Sequence, residues 1–522
     1  MSIRYEERIA ALSGSVYKGV LSGGQRGVEK ESLRITPAGI IAQTPHPREL
    51  GSALTHRFIT TDYSEALLEF VTPPQQHSWA TQQFMCDIHG VAYAALGDEL
   101  LWPFSMPCEL IDEQGIPLAQ YGSSNVGRMK AIYREGLGHR YGRFMQVISG
   151  IHFNYSVPEK FWEAWSELEE SDLDAVALRS SAYMGLVRNV RRLDWLLLYL
   201  FGASPAVSSS FLAGKSTQLK QHGAATLYSP TATSLRMSDI GYQNSNQAAV
   251  HVSANSLDEY VRDLSAAVAT PNPDFVAMGI KRDGEYLQLN ANQLQIENEY
   301  YSTIRPKRVA YSGERPTAAL GRAGVEYIEL RVLDISPFDP IGLSQAQQKF
   351  LEAFLIYALL LDSPDISESQ QEEFRSNQLL VARSGREQGL RLQRDGEQVG
   401  LQSWAQEICA QMRPVCELLD AADGKDSEYS EALDCQLAAI NDPELTPSAR
   451  LLRELEETGQ EFAEYGLETA QCYREYFSEL GSDINQHVEM FAQEAQDSLV
   501  RQEEIETTDS ISLDNYIQHY YS

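Results

Sequence analysis

The chain has 522 residues, enough for two to four domains or one large two-part fold at about 100–200 residues per domain. Apolar residues make up 43% and charged residues 22%, which excludes collagen-like, fibrous and wholly disordered chains. Of the net charge of −31, −21 falls after residue 400, where 27 acids face 6 bases; this excess argues against nucleic-acid binding and against docking on an anionic membrane.

The most apolar run, Trp195–Phe201, is far short of the roughly 20 residues a spanning helix needs. The first residues carry no apolar run after their charges, so no secretory leader is expected. Six cysteines without a C-x-x-C pair make neither a disulfide framework nor a zinc site, and Cys409 and Cys416 read as small buried apolar residues. A reducing, cytoplasmic location and a monomeric state are expected, with small molecules as partners.

In chain order, residues 1–24 read as a short helix with Ile9, Leu12 and Val16 at helical spacing. Strand signals follow at 27–35, 57–63 and 68–72, the last stopped by Pro73 and Pro74. Residues 75–97 look helical, 102–107 form a proline-rich loop, and helices at 130–146 and 175–201 flank a strand at 149–157. Further strands are expected at 287–301 and 325–333, and from Ser344 the chain reads as helical almost to its end. Strands scattered among helices without βαβ alternation indicate an α+β fold with a mainly antiparallel sheet. A boundary is expected between a core over 1–360 and an acidic helical region over 361–522, with 362–386 as a surface crossing.

Chemistry concentrates in carboxylates on strand-like segments. Glu29 and Glu31 lie two apart and project to one side of a strand, about 6–7 Å from each other. An isolated E-x-E pair is more often a solvated face, but the pattern recurs. Glu297, Glu299 and Tyr301 would share a face; so would Tyr327, Glu329 and Arg331, and His152, Asn154 and Ser156. Asp62 and Glu69 flank a helix-like turn. Acids gathered on one sheet face repel unless a cation lies between them, and oxygen ligands with one imidazole suit Mg²⁺ or Mn²⁺. Arg331 beside Glu329 could meet a transferring phosphoryl group, so the pattern points to metal-dependent phosphoryl transfer from a nucleotide. Ser209–Ser216 resembles a phosphate-binding loop but lacks its first glycine. Arg188, Arg191 and Arg192 read as a structural ion-pairing face.

Ordered blocks resemble the proteobacterial glutamate–cysteine ligase (γ-glutamylcysteine synthetase) family. They include Gly27-Val-Glu-Lys-Glu-Ser-Leu-Arg34, Thr60-Thr-Asp-Tyr-Ser-Glu-Ala-Leu-Leu-Glu-Phe-Val-Thr-Pro73, Trp102-Pro-Phe-Ser-Met-Pro-Cys108 and Tyr133-Arg-Glu-Gly-Leu137. Ser149-Gly-Ile-His-Phe-Asn154, Ala232-Thr-Ser-Leu-Arg-Met-Ser-Asp239, Gln295-Ile-Glu-Asn-Glu-Tyr-Tyr301, Ile304-Arg-Pro-Lys-Arg308 and Gly324-Val-Glu-Tyr-Ile-Glu-Leu-Arg331 continue the series. The resemblance implies an open, curved antiparallel sheet akin to glutamine synthetase, surrounded by helices. It implies ATP-dependent joining of the L-glutamate γ-carboxylate to the L-cysteine amine through γ-glutamyl phosphate, the first step of glutathione synthesis, with Mg²⁺ or Mn²⁺ as cofactor. Carried over by motif, Glu29, Glu31, Asp62, Glu69, His152 and Glu329 form the metal neighbourhood. Arg331 contacts phosphate, and Arg331 and Glu329 are the catalytic pair. Tyr133, Arg134, Arg236, Tyr242 and Tyr301 line the amino-acid pocket; Tyr63 stands where relatives are expected to carry Phe, on the thiol side. The rival readings are a related carboxylate–amine ligase with another acceptor and, in a different class, a non-catalytic acidic cation- or partner-binding protein.

Overall fold

Period-two alternation builds the centre of the protein. The computed structural model describes residues 3–521 apart from 242–249, 312, 425–426 and 485–486, and apart from the side chains of 481–484. Seven strands form the main sheet: β1 (Gln25–Ile35), β2 (Ile59–Thr61), β3 (Leu67–Val71), β4 (Leu100–Leu101), β5 (Ile151–Ser156), β6 (Ile304–Lys307) and β7 (Tyr327–Leu333). Their order is β6-β7-β5-β1-β3-β2, with β4 on the end of β1, and every pairing is antiparallel. The sheet is open, and its two faces have opposite characters. Val28, Leu68, Phe70, Ile151, Phe153, Tyr155, Ile328 and Leu330 point into one large core. The residues between them, Glu29, Glu31, Glu69, His152, Asn154, Glu329 and Arg331, belong to the other face.

Helices Ser78–Ala95, Ala175–Leu193 and Gln345–Leu360 supply the apolar layer behind the sheet, and the last is buried along almost its whole length. The first helix is shorter than expected, Ile3–Ser13; Leu12 is buried, but Val16 lies beyond it and is 82% exposed. The 102–107 loop is irregular as expected, yet Trp102, Phe104 and Met106 are buried, and Trp102 donates its Nε1–H to the Met106 carbonyl at 2.8 Å. The 175–201 stretch splits at Asp194 into Ala175–Leu193 and Trp195–Phe201.

Two expectations are corrected. Residues 287–301 do not form a strand: Glu297–Glu299 is a 3-10 turn. Here ionic contacts with distant residues override the local alternation. Within 362–386 the chain is irregular to Ser367 and then forms helix Glu368–Ser384, in keeping with the helical reading from Ser344, with a capping box at Ser367 and Gln370 and with Phe374, Val381 and Ala382 buried. The helical C-terminal region also contains a small hairpin, Arg391–Arg394 with Glu397–Gly400. Cys409 and Cys416 are buried, as their spacing suggested. No helix among the described residues is long and apolar enough to cross a membrane.

Candidate active site

The polar face of the sheet forms one wall of a cleft of about 470 Å³. Its register sets the central cluster. Glu29 faces His152 across β1 and β5, Asn154 faces Glu329 across β5 and β7, and Glu329 faces Arg305 across β7 and β6. His152 Nδ1 is 2.9 Å from Glu29 Oε2 and 3.6 Å from Glu329 Oε1. One ligand atom from each of Glu29, His152 and Glu329 can be chosen so that all lie within 4.8 Å of one another. Asn154 Nδ2 donates to Glu29 Oε1 at 2.8 Å, which fixes that carboxylate. Arg331 Nη1 sits 3.1 Å from Glu329 Oε1, and Lys307 Nζ 3.4 Å from its Oε2.

The acids divide electrostatically. Burial opposes ionisation of Glu29, but the His152 hydrogen bond helps hold its carboxyl below the usual range. Burial likewise acts against Glu329, where Lys307, Arg331, His152 and Arg305 prevail and hold it well below that range. Glu31, which faces Glu69 across the β1–β3 ladder, is pushed up to about 8 by burial and Asp62. Glu69 is pushed well above the usual range by burial and by Asp62, Glu29 and Glu31. One group is therefore ionised and partnered by cations, while the other holds protons unless a positive charge joins it. His152 is itself pushed down by burial and by Arg331, which favours a neutral imidazole with a lone pair for a metal. Glu329 Oε2 is buried without a hydrogen bond. The donor set, carboxylate oxygens with one imidazole, fits a hard divalent cation.

Around this cluster the cleft is lined by Glu31, Asp62, Tyr63, Tyr133, Arg134, Arg236, Tyr301 and Arg331. Tyr133 and Arg134 ride on helix Asn125–Tyr141. Arg134 Nε donates to the Asp62 carbonyl, and its guanidinium lies 4.6 Å from the centre of the Tyr121 ring. Arg236 Nη2 donates to the Arg331 carbonyl at 3.0 Å, and Arg236 Nη1 is 3.5 Å from buried Asp334. The turn carrying Asp62 is the β2–β3 hairpin turn, closed by the Asp62 N–H to the Leu67 carbonyl at 2.9 Å, and is not helical.

A family model described as glutamate–cysteine ligase matches residues 9–381. Curated relatives of that name include those of Alcanivorax borkumensis, 48% identical over 99% of both chains, and Azotobacter vinelandii, 47% identical over 100% of this chain and 98% of that one. The chain belongs to the glutamate–cysteine ligase family. Among solved structures, the Francisella tularensis glutamate–cysteine ligase in complex with AMP matches with a TM-score of 0.89 and 34% identity, over 96% of this chain and 97% of that one. A bifunctional glutathione synthetase from Pasteurella multocida matches with a TM-score of 0.72 and 26% identity, over 91% of this chain but 55% of that one.

Within this glutamate–cysteine ligase framework, Tyr242 lies outside the described residues. Glu297 and Glu299 leave the sheet face for the 3-10 turn. Glu299 is 2.8 Å from Arg140, with both side chains fully buried, and Glu297 is 2.8 Å from Arg315 and accepts from Thr317. Arg188 and Arg192 bond mainly to backbone carbonyls of 254–255 and 363–365, rather than to acids. Sequence reasoning gave no role to Arg305, Lys307 or Gln146, nor to the cleft wall formed by Gln371, Phe374, Arg375 and Gln378, and it placed Arg191 on a structural face although it lines the cleft. For Arg305 and Lys307 a signal existed, their alternation in Ile304-Arg-Pro-Lys-Arg308. The 371–378 wall carried none.

Proposed function

We infer that this protein joins the γ-carboxylate of L-glutamate to the amine of L-cysteine at the expense of ATP, the first step of glutathione synthesis. A γ-carboxylate oxygen attacks the γ-phosphorus of ATP and ADP leaves. The cysteine amine then attacks the acyl carbon of γ-glutamyl phosphate, inorganic phosphate leaves, and the nitrogen gives up a proton. The observation that carries this reading is the Glu29–His152–Glu329 cluster with Arg331 at 3.1 Å from Glu329, which reaches through His152 and Arg331 a cleft also lined by Tyr133 and Arg134.

Glu29, His152 and Glu329 would hold one Mg²⁺ (or Mn²⁺), with Glu31, Asp62 and Glu69 extending the neighbourhood. The bound cation supplies charge neutralisation for phosphate and carboxylate oxygens. Arg331 offsets the charge that develops on the transferring phosphoryl group, and Glu329 keeps that guanidinium aimed. Arg134 and Arg236 pair with substrate carboxylates. Tyr133, Tyr301, Tyr63 and Tyr242 shape the amino-acid and thiol side. Residues 1–360 act as the catalytic core and 361–522 as the helical region packed on it, in a monomeric cytoplasmic enzyme. An acceptor panel with ADP readout tests the assignment. Release should require Mg²⁺, glutamate and cysteine together; faster turnover with 2-aminobutyrate, ammonia or another amine would refute the acceptor assignment.

A further inference from the structure

The strongly acidic last quarter of the chain is not only a solvated surface. Helix Val488–Thr508 docks on the loop before β2. The Arg57 N–H donates to Glu494 Oε1 at 3.0 Å, the Ser52 N–H donates to Ser498 Oγ at 2.9 Å, and Glu494 is 1% exposed. The chain then crosses to the start of helix Asn125–Tyr141. There Glu506 accepts from the Ser123 N–H at 2.8 Å, Asp509 accepts from the Asn125 N–H, and Asn125 Nδ2 donates to the Ile511 carbonyl at 2.9 Å. It ends in helix Leu513–Tyr521. Leu513 and Ile517 form a small separate core with Met129 and Leu289, and Ile132, Tyr133 and Ile296 pack against it. Asp514 is 2.9 Å from Lys281 and accepts a hydrogen bond from the Tyr286 hydroxyl.

From this last helix Tyr521 reaches Gln295, a buried residue with every polar group engaged. Its side chain accepts from the Leu289 N–H at 3.0 Å and donates to the Tyr133 carbonyl at 3.1 Å. Its own N–H donates to Glu299 Oε2 at 2.6 Å, and its carbonyl accepts from the Tyr521 hydroxyl at 2.7 Å. The fit is close: a Cβ placed at Gly136 would lie 2.2 Å from Gln295 Oε1. Gln295 thus ties the helix that carries Tyr133 and Arg134 to the turn that leads into Tyr301, and the last helix holds Gln295 from behind.

We propose that helix Leu513–Tyr521 positions the amino-acid side of the active site, with Tyr521 acting through Gln295 on Tyr133 and with Leu513 and Ile517 bracing the same helix through Met129. This rests on the reading of Tyr133, Arg134 and Tyr301 as the amino-acid wall. Its named contacts lie in 125–133 and 281–296, away from the strands that carry Glu29, His152, Glu329 and Arg331. Loosening it should therefore weaken amino-acid binding and leave nucleotide binding alone.

Two variants of the enzyme test this, Tyr521→Phe and a chain ending at Asp509, with kcat and the KM values for glutamate, cysteine and ATP measured beside the melting temperature. Losing this half-buried hydrogen bond, while Asn290 Nδ2 still donates to the Gln295 carbonyl at 2.9 Å, should raise at least one amino-acid KM about fivefold in Tyr521→Phe, with the ATP KM within about twofold of wild type. The shortened enzyme should show a larger rise, reversed by a synthetic peptide of residues 510–522. Unchanged amino-acid KM values in Tyr521→Phe would overturn the proposal. So would a uniform loss across all parameters that tracks the folded fraction. A failure of the ligase reading itself would differ, because wild type would then show no cysteine-dependent ADP release.

Discussion

Glu329→Gln perturbs the centre of the cluster with little change of shape. The carboxylate is 1% exposed and faces Arg331 Nη1 at 3.1 Å, Lys307 Nζ at 3.4 Å and His152 Nδ1 at 3.6 Å. Removing one partner of a fully buried ion pair costs about 3–5 kcal/mol, because the other charge is stranded. Here the Arg331 and Lys307 side chains keep 18% and 32% of their exposure, and glutamine still offers a carbonyl oxygen. The loss of stability should therefore be smaller, about 1–2 kcal/mol. Function should suffer more. Losing a residue that only supports a metal ligand lowers affinity about 10–100-fold, so losing a direct donor should shift the Mg²⁺ midpoint by about 100-fold or more. The assay is ADP release titrated with Mg²⁺ at saturating glutamate and cysteine, beside urea unfolding of the same samples. A folded variant with the wild-type Mg²⁺ midpoint and turnover would refute the assignment of Glu329.

His56 predicts acid sensitivity: its Nδ1 accepts the Ile59 N–H at 2.8 Å and burial pushes its pKa down to about 4. The unfolded chain binds this proton near 6.5 and the folded chain near 4, so stability should fall as pH drops through that window, by up to about 3 kcal/mol. A urea midpoint that stays flat from pH 6.5 to 4 would contradict this. Gly138→Ala should destabilise the enzyme by about 1–3 kcal/mol, because the added Cβ would lie 2.5 Å from the Tyr63 hydroxyl. Adding Tyr63→Phe should recover most of that loss in a melting experiment, and strict additivity would argue against the clash. Glu299→Gln should lower stability by about 3 kcal/mol through its buried pair with Arg140 while leaving the Mg²⁺ midpoint in place, the reverse of Glu329→Gln.

Alternation made much of the site legible in the sequence. On β5 and β7 one residue in two is apolar and buried behind the sheet, whereas on β1 only Val28 among the inward positions is apolar and the two-residue spacing of Glu29 and Glu31 carried the assignment; Glu29, His152, Glu329 and Arg331 could thus be placed on strand faces before any pairing was known. The same reasoning failed at Gln295–Tyr301, because a seven-residue alternation does not distinguish a strand from a 3-10 turn. What decides that turn is Arg140 and Arg315, which neutralise Glu299 and Glu297 from other elements. The role of 362–386 was hidden for a similar reason. A polar helix with a narrow apolar stripe looks like a linker until a cleft and a core are placed on either side of it.

By itself the sequence determined the antiparallel sheet, the acidic face, the family and the acid-rich last quarter, since strand periodicity, composition and motif order are local properties of the chain. Only the tertiary structure decided which acids are ionised, because that depends on Lys307, Arg305 and Arg331 arriving beside Glu329 while Glu31 and Glu69 crowd Asp62. It also decided what part of the C-terminal charge does. Glu494, Glu506, Asp509 and Asp514 bind named groups on the loop before β2, at the start of helix Asn125–Tyr141 and on Lys281, contacts hundreds of residues apart in sequence that exist only once the chain has closed on itself.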